Sequence, residues 1–199
     1  MKAAQPLLLM TLSFLTACSP VKNSLSNLYS LDSYSQVSAR PTSLSILVSK
    51  PEAMAGYQTN QMVYRSKPFE LSSFAQNAWV APPADMLYPL IVESLQQTHF
   101  FRVVASGPYA AETDYRLDTQ LFVLDQRFIS HPSQVYLSVK AVLSASQNNK
   151  VIASTIFHYH MNTPADNPYG GVVAANKASQ QFTADLSRFI IRHIERAGK

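Results

Sequence analysis

Apolar residues follow three rhythms along this chain, and each predicts a different element. An unbroken apolar run fills residues 7–15. Apolar and polar residues alternate through 115–128, 135–145 and 151–161, the period of half-buried strands. Spacings of three and four recur through 86–98 and 172–195, the period of amphipathic helices.

Tyr115, Leu117, Thr119, Leu121 and Val123 alternate against Arg116, Asp118 and Gln120. Val135, Leu137, Val139, Ala141 and Leu143 share one face of the next strand. Gln147-Asn148-Asn149-Lys150 is a turn signal, and 151–161 runs back. These three form an antiparallel meander with one buried face. Shorter strands are predicted at 29–34, 43–49 (ended by Pro51), 61–65, 69–74 and 100–104, with Ser66-Lys67-Pro68 as a turn and 78–83 as a connector.

In the first helix Leu87, Leu90, Ile91, Leu95 and Thr98 face one way, and Pro89 requires that the helix start near it or kink there. In the last, Ala175, Ala178, Phe182, Leu186, Phe189 and Ile190 form the apolar stripe, and Gly170-Gly171 supply the turn into it. The order β-β-β-β-α-β-β-β-β-α predicts an α+β fold: a mostly antiparallel sheet with two main helices packed on it.

The run at 7–15 follows Lys2 and is too short to span a bilayer as a helix. It fits the apolar core of a secretory signal. The segment ends Leu15-Thr16-Ala17-Cys18, which resembles the bacterial lipobox. That resemblance implies transfer of a diacylglyceryl group to the Cys18 sulfur, cleavage before Cys18, and acylation of its new amine by a fatty acid such as palmitate. Ser19 rather than Asp at the next position points to the periplasmic face of the outer membrane over the inner membrane. The expected organisation is a signal peptide at 1–17, a lipidated cysteine and Ser/Asn-rich tether at 18–28, and one domain at 29–199. Cys18 is the only cysteine of 199 residues, so acylation removes disulfides and thiolate chemistry from the mature chain.

Charged residues are 14% and hydrophobic residues 47%, which argues for a packed core and against disorder. The net charge of +4 is spread along the chain without the dense basic stripe of a nucleic-acid binder. No GxSxG, P-loop, HExxH or dinucleotide-binding glycine pattern is present, so neither an enzyme nor a cofactor is expected. His158 and His160 share a strand face but lack a third ligand, and no metal is assigned to them. Asp114, Asp118 and Asp125 read as solvent-facing partners of Arg116 and Arg127. Aromatic residues and methionines crowd into 54–88. Such side chains suit core filling or an adaptable apolar contact. Tyr57, Met62, Tyr64 and Trp79 are the candidates for touching a partner or lipid.

Several stretches together carry a wider resemblance. They are the lipobox, Tyr29-Ser30-Leu31, residues 56–64 (GYQTNQMVY), residues 74–80 (FAQNAWV), Pro82-Pro83 and residues 100–104 (FFRVV). In this order the chain resembles the ABC-type transport auxiliary lipoproteins of the paraquat-inducible protein C type, over about residues 29–195. The resemblance implies a periplasmic lipoprotein without catalytic residues. It implies an MCE-domain partner with an ABC or paraquat-inducible A type membrane component, the whole moving phospholipids or other hydrophobic molecules. A homo-oligomer is compatible with that role. The alternative is a structural or assembly lipoprotein of another envelope machine, such as a secretion system.

Overall fold

The structure, a computed structural model, describes residues 27–107 and 112–197. In chain order its elements are β1 (Asn27–Tyr29), β2 (Ser45–Val48), β3 (Glu52–Ala53), a 3₁₀ turn (Ala55–Tyr57), β4 (Gln61–Arg65), β5 (Ser72–Trp79), α1 (Pro83–Gln97), β6 (Val103–Ser106), β7 (Tyr115–Arg127), β8 (Gln134–Ala145), β9 (Val151–Asn162) and α2 (Pro168–Ala197). Cys18 lies outside the described residues.

Strand β7 organises one nine-stranded sheet. Along one edge it pairs antiparallel with β8, which pairs antiparallel with β9. Its other edge is shared by β2, β3 and β4 in succession, all parallel to it. These three amount to one interrupted strand. Pro51 has no N–H to donate, and the 3₁₀ turn lifts the chain off the ladder before β4 rejoins it. Beyond them, β6 pairs parallel with β2, β5 antiparallel with β4, and β1 parallel with β5. The fold is α+β as expected. Its long pairings are antiparallel, while the short strands add parallel ones that alternation alone did not foretell.

Both helices pack on one face. Leu117, Leu121, Leu137, Val139 and Leu143 point at them and are essentially inaccessible to water. Phe182 of α2 meets Phe157 with ring centroids 5.6 Å apart and Tyr159 at 6.5 Å, and Phe189 meets Phe157 at 5.8 Å. Burying each such side chain contributes about 1.5–3 kcal/mol.

A bulge changes the faces of β7. Leu121 pairs with Val139 but Val123 with Ser138, so Phe122 is an extra residue. Up to Leu121 odd-numbered residues face the helices; from Leu124 even-numbered ones do. Val123 therefore lies on the open face, against the expectation that it continues the stripe from Tyr115. Asp125 joins Asp118 on that open face although their parities differ.

Several expected boundaries move. Residues 27–28, assigned to the tether, form β1 with Asn77 and Ala78. The strand expected from Phe69 begins at Ser72 instead, because Phe69 sits in the turn at φ 66°. The strand expected at 100–104 begins at Val103, and Phe100 and Phe101 before it are buried. Helix α1 runs through Pro89, which lies on its exposed side.

Gly170 and Gly171 are the third and fourth residues of α2, not the turn before it. The start is set by Asn167, whose Oδ1 accepts from the Gly170 amide at 2.8 Å, and by Pro168 as the first helical residue. The glycines answer a packing need. A Cβ on Gly170 would lie 2.0 Å from the Ala165 carbonyl oxygen, and one on Gly171 2.3 Å from Gln126 Oε1.

Candidate functional site

The helix-free face of the sheet carries a polar array built around Asp125, whose side chain is wholly buried. Its Oδ2 accepts from Arg65 Nε at 2.8 Å and from the Tyr57 hydroxyl at 2.9 Å, and its Oδ1 from Arg127 Nε at 2.9 Å. Arg65 Nη2 also reaches the Tyr57 oxygen at 3.3 Å. The Arg127 guanidinium lies 3.6 Å above the Tyr136 ring, a cation–π contact, and Tyr136 stacks on His160 at 3.8 Å. Burial pushes the Tyr57 hydroxyl pKa up, and hydrogen bonding to Asp125 raises that of Arg65. Burial, then the nearby Arg127 charge and His158, lower that of His160, so its imidazole is neutral at neutral pH. Two partly open guanidiniums outweigh one buried carboxylate, so the array exposes a positive edge.

His158 and His160 do share this face. His158 Nδ1 lies 3.1 Å from the Ser138 hydroxyl while His160 is stacked on Tyr136. Among the described residues no third His, Cys, Asp or Glu gathers with them. The three aspartates take separate roles. Asp118 pairs with Arg116 at 2.8 Å on the surface as expected. Asp114 instead accepts the Ser45 amide and hydroxyl, both at 2.7 Å, and these bonds hold its pKa down. Asp125 is buried rather than solvent-facing: the bulge carries it to the open face, and there Tyr57, Arg65 and Arg127 cover it.

The structure divides the four contact candidates. Tyr57, Met62 and Trp79 are buried in the core, one of the two roles that such side chains suit. Met62 and Trp79 line an interior cavity of about 10 Å³, shared with Leu124, Gln126 and Val135. That volume holds at most a single water, far less than a lipid tail needs. Tyr64 is partly open. Its ring lies 4.5 Å from Phe74 and 5.9 Å from Phe128, and those two lie 6.2 Å apart.

This aromatic cluster sits where β4 and β7 end side by side, with the Phe128 amide bonded to the Arg65 carbonyl at 2.9 Å. Just beyond it, the turn 66–71 carries Phe69, 100% exposed, and Leu71, and the neighbouring loop carries exposed Ile129. A bulky residue at positive φ costs about 1–2 kcal/mol, and Phe69 recovers none of it by burial in the chain. Phe69 falls within the aromatic crowd at 54–88 but was not singled out by sequence reasoning, which passed over half-buried Phe128 and exposed Ile129. Lys67-Pro68-Phe69-Glu70 held the available signal, an aromatic residue inside a polar turn.

The sequence matches the family described as ABC-type transport auxiliary lipoprotein component over residues 29–187. That match runs from the last residue of β1 through the first twenty residues of α2. The chain belongs to this family. Among solved structures, this auxiliary lipoprotein is similar to protein XCC0632 of Xanthomonas campestris, of the DUF330 family, at 21% identity. The TM-score is 0.79, with 87% of this chain and 100% of that one covered. It is also similar to a structure described as an uncharacterized protein, at 18% identity and TM-score 0.68, covering 84% and 99% of the two chains. At these identities the likeness establishes a shared fold. No curated protein matches the sequence. Among the described residues of this auxiliary lipoprotein, no helix is long and apolar enough to cross a membrane.

Proposed function

We propose that this protein is the lipid-anchored periplasmic auxiliary component of an ABC/MCE-type transport system that moves phospholipids or other hydrophobic molecules across the envelope. The family match over residues 29–187 carries this reading. The acylated Cys18 holds the domain at the periplasmic face of the outer membrane, where Ser19 directs it. Its contribution is docking to the MCE-domain partner rather than chemistry. The Asp125 array is suited to recognition: its charges are held in one geometry by three hydrogen bonds and a stacked tyrosine.

The test is an affinity pull-down of residues 19–199 from an envelope extract, with mass spectrometry of proteins and lipids. Enrichment of an MCE-domain protein over a control lipoprotein is expected, and co-purifying phospholipid adds direct contact with the cargo. Recovery of secretion-machine subunits without any MCE protein overturns this reading in favour of an assembly lipoprotein.

A further inference from the structure

We propose that the end of the sheet bearing Phe69 and Ile129 seats on the phospholipid bilayer that holds the Cys18 anchor, an inference that rests on the acylation of Cys18 proposed above. Strand direction carries it. β1 runs parallel to β5 with Asn27 opposite Asn77, so the first residue of β1 is its end nearer the start of β5 and the turn 66–71. From the level of Asn77 to Ser72 is five residues, no more than about 17 Å of strand. Cys18 precedes Asn27 by nine residues, a reach of up to about 30 Å. The acyl chains can therefore enter a membrane lying against this turn with length to spare. The opposite end of the sheet, at Val151, is set apart by the thirteen residues of β7, about 40 Å.

The chemistry of the tip suits that position. Phe69 is fully exposed, and Ile129 stands on the adjoining loop at 54%. The Tyr64, Phe74 and Phe128 rings beneath them are tightly associated and give the tip a firm base. Lys67, 75% exposed on the same turn and 4.0 Å from Glu70, can meet anionic headgroups while the apolar tips enter the acyl boundary. The turn thus holds its aromatic residue outward in a strained backbone conformation.

The experiment uses the full acylated chain in vesicles of phosphatidylethanolamine and phosphatidylglycerol. The diacylglyceryl thioether occupies the native thiol, so Phe69→Cys, Ile129→Cys and Val151→Cys variants can each carry one environment-sensitive dye. Lipids brominated along their acyl chains should quench the dye at positions 69 and 129 and leave it unchanged at 151. Equal quenching at 69 and 151, or none at 69 and 129, on vesicles that float with acylated protein overturns the seating while leaving the anchor intact. A dye at 69 untouched by the lipids yet shielded from an aqueous quencher means that a second copy covers the tip, which also overturns it. An intact mass lacking acyl chains overturns the anchor, and the seating with it.

Discussion

Two ion pairs on β7 share nearly the same geometry and differ in burial, which makes them a controlled comparison. Arg116 and Asp118 meet at 2.8 Å with side chains 39% and 41% exposed. Asp125 meets Arg65 at 2.8 Å and Arg127 at 2.9 Å, but its own side chain is 0% exposed and the arginines are 22% and 28% exposed. Replacing Asp118 with Ala removes a screened surface contact, so the expected loss is under about 0.5 kcal/mol. Replacing Asp125 with Ala strands two guanidiniums and the buried Tyr57 hydroxyl. Loss of one partner from a fully buried pair costs about 3–5 kcal/mol. Both arginines retain some access to water, which places Asp125→Ala at the low end, near 3 kcal/mol. For a domain of this size that is a fall in Tm of about 6–12 °C, against about 1–2 °C for Asp118→Ala. Urea and thermal unfolding of the two variants beside the parent protein check this. Equal losses would refute the reasoning that burial, not proximity, decides the worth of these pairs.

Three further outcomes are expected. Gly170→Ala should lower stability by about 2 kcal/mol in urea unfolding despite the better helix propensity of Ala, because the Ala165 backbone carbonyl occupies the space of its Cβ. An unchanged midpoint would show that the Ala165 turn yields freely. The Ser133 amide and then the His131 ring hold the Asp166 pKa at about 2, against an ordinary 3.8. A carboxylate with a depressed folded-state pKa stabilises above its unfolded value, so this contribution should be full above about pH 5 and fade between about pH 4 and 2. The stability difference from Asp166→Asn should shrink over that window, and a difference flat through it would contradict the assignment. Cys18→Ser should shift the protein from the membrane to the soluble fraction on ultracentrifugation; retention in the membrane pellet would argue for a second mode of attachment.

The periodicities of 115–128, 135–145 and 151–161 were sufficient to locate β7, β8 and β9, because a one-sided sheet leaves its period of two directly in the residues. The stripes Leu87–Leu95 and Ala175–Ile190 located both helices for the same reason at their own period. The ordered stretches from Tyr29 to Val104 also pointed to the family. The signals that failed were those whose partner is distant in sequence. Asp125 reads as a surface residue, and the bulge at Phe122 does bring it to the helix-free face, but Tyr57 and Arg65, about sixty residues away, close it off there together with Arg127. Gly170 and Gly171 read as a turn, yet their purpose is the space occupied by Ala165 and Gln126. Met62 and Trp79 read as core more readily than as contact, but hydrophobicity along the chain does not state which face the fold will cover. Local chemistry determined which elements form. Only packing decided which side chains were closed off from water and which, like Phe69, were left outside.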